Sequence, residues 1–299
     1  YFLMRCLIVI LLFLGACSDG LKTLPSSTGI LSEVIFVVDD LLWENQVKDL
    51  AFRTFGAPVE GLMQNESFFK VIQVNHSEFK SILKTHKNIL IIAKNVTTST
   101  KQDKWSDGQL VVQLDFKDEN KLAIDLNRLK EVFMSREITI LRNSISKSSK
   151  KIQEINIKEQ FNIEILIPFE YTIIKDTATL FWATHNPEKK ELIKHLFVFS
   201  FESKATSIQQ QVLQKTDSIF VKYLLGSKQG QHVKIEDRFP PVYSENIYRG
   251  LWKLNDGFMG GPFIIKTYFI NKKVVVTVGL IFAPNDRKRN YIRTLEAIL

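Results

Sequence analysis

The first twenty residues, YFLMRCLIVILLFLGACSDG, take part of this chain out of any folding argument. Met4-Arg5 supplies one positive charge, Cys6 to Leu14 is an apolar run, and Gly15-Ala16-Cys17 closes it with small residues. Charge, short apolar run and small residues in that order make a secretory signal, which is removed rather than folded. A transmembrane helix needs about 20 apolar residues. Leu3 to Ala16 is shorter, and Ser18, Asp19 and Gly20 end it at once. Nor does a core helix need an all-round apolar surface at an extreme N-terminus. Tyr1 is not an initiator, so Met4 or an upstream codon is expected to begin the protein.

The Leu14-Gly15-Ala16-Cys17 ending resembles a bacterial lipobox. That resemblance implies cleavage before Cys17, acylation of its sulfur with palmitate-like chains, and a mature protein that starts at Cys17. One acyl chain binds a membrane reversibly, but a lipoprotein of this type carries several, so attachment should be firm. Ser18, with no aspartate directly after the cysteine, points to the outer membrane, on its periplasmic or surface face. The expected segmentation is a signal peptide at 1–16, a tether at 17–30, an N-terminal α/β subdomain at 31–159 and a C-terminal α+β subdomain at 160–299.

Removal of residues 1–16 leaves 283, enough for one large domain or two ordinary ones. The chain is 45% hydrophobic and 24% charged, ordinary globular values, and its 22 Phe against 4 Met and 4 Trp predict an aromatic core. The two cysteines are Cys6 and Cys17, both in the leader region. The mature body therefore has no internal disulfide and no thiol nucleophile, and core packing must stabilise it. A net charge of +8, or +7 without Arg5, can mean nucleic acid or an anionic membrane surface. Export argues against nucleic acid. The densest basic groups, Lys147 to Lys151 and Arg287-Lys288-Arg289, read as solvated helix faces.

The apolar pattern mixes strand and helix periods. Strands are predicted at 33–38, 68–74, 89–93 and 110–116. A helix is predicted from Trp43 to Phe55, and another after an Asn75/Glu78 capping box. Lys94 to Gly108 reads as loop. Leu122 to Phe133 and Ile138 to Lys158 read as two separate helices. Phe161, Ile163, Ile165 and Ile167 alternate like a half-buried strand. A hairpin at 171–183, a strand at 195–201, a helix at 205–225, a long polar loop at 227–245, three strands at 247–254, 263–270 and 274–282, and a last helix at 286–299 complete the pass. The fold class expected is α+β, with mixed and antiparallel sheets packed against helices, compatible with two α/β sandwich subdomains. The halves would meet near Lys158–Gln160. No residue-level repeat relates them.

Candidate chemistry is sparse. Asp39-Asp40 follows a strand, where α/β proteins often bind ligands, and two carboxylates could hold a cation or serve as acid and base. The plainer reading is a helix cap. His76, His86, His185, His195 and His232 show no metal-ligand spacing, and His86 reads as a core histidine. There is no GxSxG elbow, Walker loop or GxGxxG. No cofactor and no metal is expected.

The most unusual stretch runs from Tyr248 to Phe263. Glycines there permit a bulge, a positive-φ turn or close approach of another chain. Arg249, Trp252, Phe258, Met259, Gly260 and Gly261 are the candidate binding surface, with Trp252, Phe258 and Met259 at a sticky tip. The competing reading folds those aromatics into the core.

Arg249-Gly250-Leu251-Trp252, the Phe258-Met259-Gly260-Gly261-Pro262-Phe263 block, Ala283-Pro284, Lys288-Arg289 and Leu295-Glu296-Ala297 resemble an uncharacterised family of Bacteroidetes lipoproteins, domain of unknown function 4837. Val37-Val38-Asp39-Asp40, Trp43, Phe55-Gly56-Ala57-Pro58 and Lys87-Asn88-Ile89-Leu90 extend the likeness to nearly the whole mature chain. An Arg-Asp pair is expected where Lys215-Thr216-Asp217 stands, and this member departs there. The resemblance implies a shared localisation and fold and transfers no catalytic residue. The functional expectation is a membrane-anchored envelope lipoprotein, held by Cys17, that acts as a non-catalytic binding or assembly module for an envelope protein or ligand. The alternative is an envelope hydrolase using Asp39/Asp40 as acid/base or metal ligands.

Overall fold

A computed structural model describes residues 23–204 and 207–299. The expected signal peptide at 1–16 and Cys17 lie outside the described residues. The fold is α+β, with one five-stranded and one eight-stranded sheet. Two compact units emerge. The first comprises the described residues up to Gly29, Val34–Asp40 and Gln73–Phe116; the second comprises Ile30–Glu33, Leu41–Ile72 and Lys117–Leu299.

The smaller sheet is built from β1 (Glu33–Val37), β2 (Lys70–Val74), β3 (Asn88–Ala93), β4 (Ser99–Gln102) and β5 (Leu110–Asp115), in the order β2-β1-β3-β5-β4. β1, β3 and β5 are parallel, with Ile35 opposite Ile89 and Leu90 opposite Val112. All of β1 is buried, which is why its sequence after Glu33 is a continuous apolar run rather than an alternation. β4 closes one edge antiparallel to β5. It falls in the stretch expected to be loop. Its sequence is STKQ, mostly exposed, and an edge strand without an apolar face leaves no periodic signal.

The expected helix after Asn75 is also absent. The Asn75 side chain accepts from Ser77 N and Oγ in a local turn, and a 3-10 turn at Ser81–Thr85 follows, entered with Ser81 at φ 45°. A positive φ at a non-glycine residue stops an α-helix from propagating through it.

After β1 come helical turns at Asp40–Leu42, a π-helical turn at Trp43–Val47 and α1 (Lys48–Thr54). α2 (Glu119–Ser146) is capped by Asp118, whose carboxylate accepts from Lys121 N at 2.9 Å. α2 runs on where two helices were expected, and the chain breaks only before α3 (Lys151–Phe161). There Lys150 N donates to Ile167 O, and Phe169 N donates to Ser148 O. These partners replace the helical ladder. Lys158–Gln160, where the halves were expected to meet, lie inside α3.

The alternating Ile163, Ile165 and Ile167 form no strand. They are buried, but their stretch is extended without a ladder: Leu166 N donates to Ile298 O, and Ile167 N to the Glu154 carboxylate. Side chains on one face satisfied the period-two pattern without any strand beside them.

The large sheet contains β6 (Thr172–Thr177), β7 (Leu180–His185), β8 (Ile193–Glu202), β9 (Val233–Ile235), β10 (Val242–Ser244), β11 (Ile247–Leu254), β12 (Gly260–Ile270) and β13 (Lys273–Phe282). The order is β10-β11-β12-β13-β8-β7-β6, with β9 also on β11. All its pairs are antiparallel. β9 and β10 are three-residue strands within the expected polar loop. α4 (Ile208–Tyr223) covers one face over Phe197, Phe199, Val276 and Val278; α3 and α5 (Arg289–Ile298) cover the other over Phe181, Val198, Val275 and Ile281. Alternation along β7, β8 and β13 thus feeds two cores. Fully burying one such Phe or Ile is worth about 1.5–3 kcal/mol.

Candidate functional site

β11 and β12 form a hairpin in which Trp252 faces Gly261, Leu251 faces Pro262 and Arg249 faces Ile264. Leu254 N donates to Met259 O at 2.8 Å to close it, and Asp256 takes φ 52° in the turn. The Trp252 indole N–H donates to Ile281 O at 3.1 Å. A Cβ on Gly261 would lie 2.0 Å from that same oxygen and 3.2 Å from the indole nitrogen. The missing side chain is what lets the ring cross its neighbour and reach β13.

The six candidate residues therefore divide. Trp252 is buried, 4% exposed, and packs in the α4-side core, so it is not part of an exposed tip. Buried tryptophan needs a partner for its N–H, and Ile281 O provides one. Arg249 pairs with Glu296 at 2.7 Å, tying β11 to α5. Met259 is half-buried against the α4-side core. Gly260 is exposed, and Phe258 at the turn is fully exposed. Beside Phe258 lies a cavity of about 220 Å³, lined mainly by apolar groups such as Leu62, Met63, Pro262 and Pro284, with Gln64, Glu66 and Lys288 as its polar side chains. Met63 is itself 72% exposed. Two large exposed apolar side chains thus flank one mainly apolar cavity.

A second cavity of about 420 Å³ lies where α4 ends, lined by Trp182, Ile193, His195, Tyr223, Trp252 and Phe282 among others. The Trp182 indole N–H donates to His195 Nδ1 at 3.3 Å. That acceptor role places the imidazole proton on Nε2. Burial pushes the His195 pKa down to about 4, so the ring is neutral at pH 7. The sequence marked this position only as one of five histidines without ligand spacing.

Asp39 and Asp40 are exposed at the end of β1. The Asp40 carboxylate accepts from Gln73 Nε2, which also donates to Val38 O. The other histidines engage nearby backbone: His76 with Ile92 O, His86 with Asn88, His185 with Glu170 O and His232 with Gly230 O. Among the described residues no group of three or more His, Cys, Asp or Glu could hold a metal, and no helix is long and apolar enough to cross a membrane.

Sequence reasoning missed a buried ionic cluster that fixes α5. Glu137 and Arg293, both almost inaccessible, pair at 2.7 Å, and Ser32 N donates to both Glu137 oxygens. Glu66 accepts from the backbone N–H of Lys288 and Arg289 at 2.7 and 2.9 Å, capping α5 from outside its own segment. Arg289 Nη1 donates to Ser67 O. Only an apolar stripe interrupted by charge, at Glu137 and Arg293, could have signalled it.

No curated protein matches the chain. The family described as Domain of unknown function (DUF8532) matches residues 27–146. The front-half motifs from Val37 to Leu90 fall in this stretch, so the likeness to domain 4837 does not extend over them. Domain of unknown function (DUF4837) matches residues 149–299, just over half of the chain, with the Trp252 and Gly260-Gly261-Pro262 motifs inside it. The chain belongs to the family described as Domain of unknown function (DUF4837).

Proposed function

We propose that this protein is a lipid-anchored cell-envelope module that binds a partner non-catalytically through the tip of the β11–β12 hairpin. The anchor rests on the residue order around Cys17. The binding role rests chiefly on one observation: Phe258 is fully exposed beside a cavity whose other wall carries the exposed Met63. Large apolar side chains gathered at a concavity mark interaction surfaces more often than isolated ones do. Arg249 and Trp252 tie the hairpin strands to α5 and β13, which lowers the ordering entropy that opposes binding. A lipid anchor and short tether would raise the effective concentration of that tip at the membrane.

The test is a photo-reactive residue at position 258 in intact cells, with the exposed Ile152 position as control. A discrete adduct from 258 and none from 152 is expected. Equal adduct patterns from both positions contradict the hairpin as the binding surface. Separately, Cys17→Ala should abolish incorporation of labelled palmitate, and continued incorporation contradicts the anchor.

A further inference from the structure

The cavity at the end of α4 is built differently from a packing defect. Its volume of about 420 Å³ falls in the range of small-molecule pockets, roughly 300–1,000 Å³. Its walls are flat and mutually braced: the Trp182 ring stacks on Phe197 at 5.4 Å and meets Tyr223 at 5.9 Å, while Trp252 meets Phe282 at 6.4 Å. Its polar side chains include His195, Tyr223 and Ser227. His195 uses Nδ1 to accept from Trp182, which leaves the Nε2–H as its donor. Two cations stand by one wall, with the ammoniums of Lys175 and Lys222 at 5.2 and 5.3 Å from the Tyr223 ring centroid.

An apolar cavity alone would take any greasy molecule. Aromatic walls favour a flat one by offset and edge contacts. The two ammoniums lie within roughly a Debye length of the Tyr223 wall, about 8 Å at physiological salt, and favour an anion. The Nε2–H of His195, a lining residue whose Nδ1 is taken by Trp182, favours a hydrogen-bond acceptor over an alkyl group.

We propose that this cavity is a binding site for a small aromatic carboxylate, its ring between Trp182 and Trp252 and its carboxylate turned toward His195 and the lysine-flanked Tyr223. The site rests on the reading of the chain as a binding module, and is independent of the anchor and of the hairpin tip. His195 holds the acceptor and the lysines draw the charge. No bond is made or broken.

The experiment is equilibrium dialysis of the protein as purified from cells, in phosphatidylcholine nanodiscs when it carries acyl chains and in buffer when it does not, against 2-naphthoate and its uncharged analogue 2-naphthylmethanol, with the matching protein-free sample as blank. Saturable binding of one naphthoate per chain is expected, with the alcohol at least about fivefold weaker, the size of roughly 1 kcal/mol of charge preference. Ile193→Trp, which fills the cavity, should weaken naphthoate at least about tenfold; His195→Phe should do the same by removing the donor. Leu225→Trp at the exposed rim gives a second blocking variant should Ile193→Trp fail to fold, as judged by its melting curve. Lys175→Gln with Lys222→Gln should erase the preference for the acid over the alcohol, and Ile152→Ala, at an exposed position outside the cavity, should leave it unchanged. No saturable naphthoate binding up to millimolar concentration, or naphthoate binding untouched in folded blocking variants, overturns the site; an alcohol bound as tightly as the acid overturns its carboxylate specificity. Loss of this binding with the position-258 adduct intact sinks the cavity alone. Loss of that adduct with naphthoate still bound sinks the hairpin reading alone.

Discussion

At the level of single residues, the hairpin depends on an absent side chain. Alanine at Gly261 would drive a Cβ into Ile281 O, whereas at Gly260 the nearest atom, Trp252 O, is 3.0 Å away. Gly261→Ala should therefore cost about 1–3 kcal/mol in urea unfolding, the range for overpacking, and more than Gly260→Ala. Equal costs would show that the indole does not need that space. His195 gives a pH prediction. It titrates near 4 in the fold and near 6.5 in the unfolded chain, so between those values the unfolded chain binds more protons. Stability should fall as pH drops from about 6.5 to about 4, and this component should level off below that. Measured as the difference between wild type and His195→Phe, the fall isolates the histidine from the carboxylates common to both. A difference that is flat across the window contradicts a buried neutral ring. The sequence offered Trp252 and Phe258 as one sticky tip. Their fates split because one side chain lies over a glycine with a carbonyl in reach and the other sits on the turn, a distinction of register that composition does not carry.

At the level of elements, α2 supplies a direct test. The apolar pattern suggested two helices with a gap after Phe133, yet one helix spans Glu119–Ser146. Ser135 is exposed within that supposed gap. Proline there would be tolerated by a loop, but should cost about 3 kcal/mol or more within a continuous helix. A Ser135→Pro variant with unchanged urea midpoint would restore the two-helix picture. The three long C-terminal strands, the parallel trio and the last helix were legible because each buries a wide apolar face. β4, β9 and β10 were not, since strands of three or four residues are too short to show a period and owe their existence to a neighbour's free hydrogen bonds. The extended stretch at Ile163–Ile167 misled in the other direction: its alternation is real, but its backbone partners are a helix end and a carboxylate.

Across the whole molecule, the two matched families divide the chain near residue 147, while the larger compact unit draws on both sides of that division. Within this unit α5 is held by Glu66 and Glu137, which lie in the stretch matched by the other family. A fragment of residues 149–299 would leave Arg293 buried without its carboxylate. Removing one partner of a buried pair costs about 3–5 kcal/mol. The fragment should melt below the full chain or fail to stay soluble, and Arg293→Leu should recover part of the loss; a fragment as stable as the full chain would show that the cluster is dispensable. The function proposed here begins outside the described residues, at a sulfur that would hold the body to the envelope. The intact mass of the protein purified from cell membranes tests that most directly. The account predicts a chain that starts at Cys17 and carries acyl chains. A chain that retains its leader, or has an unmodified N-terminus and is recovered only from the soluble fraction, would contradict it.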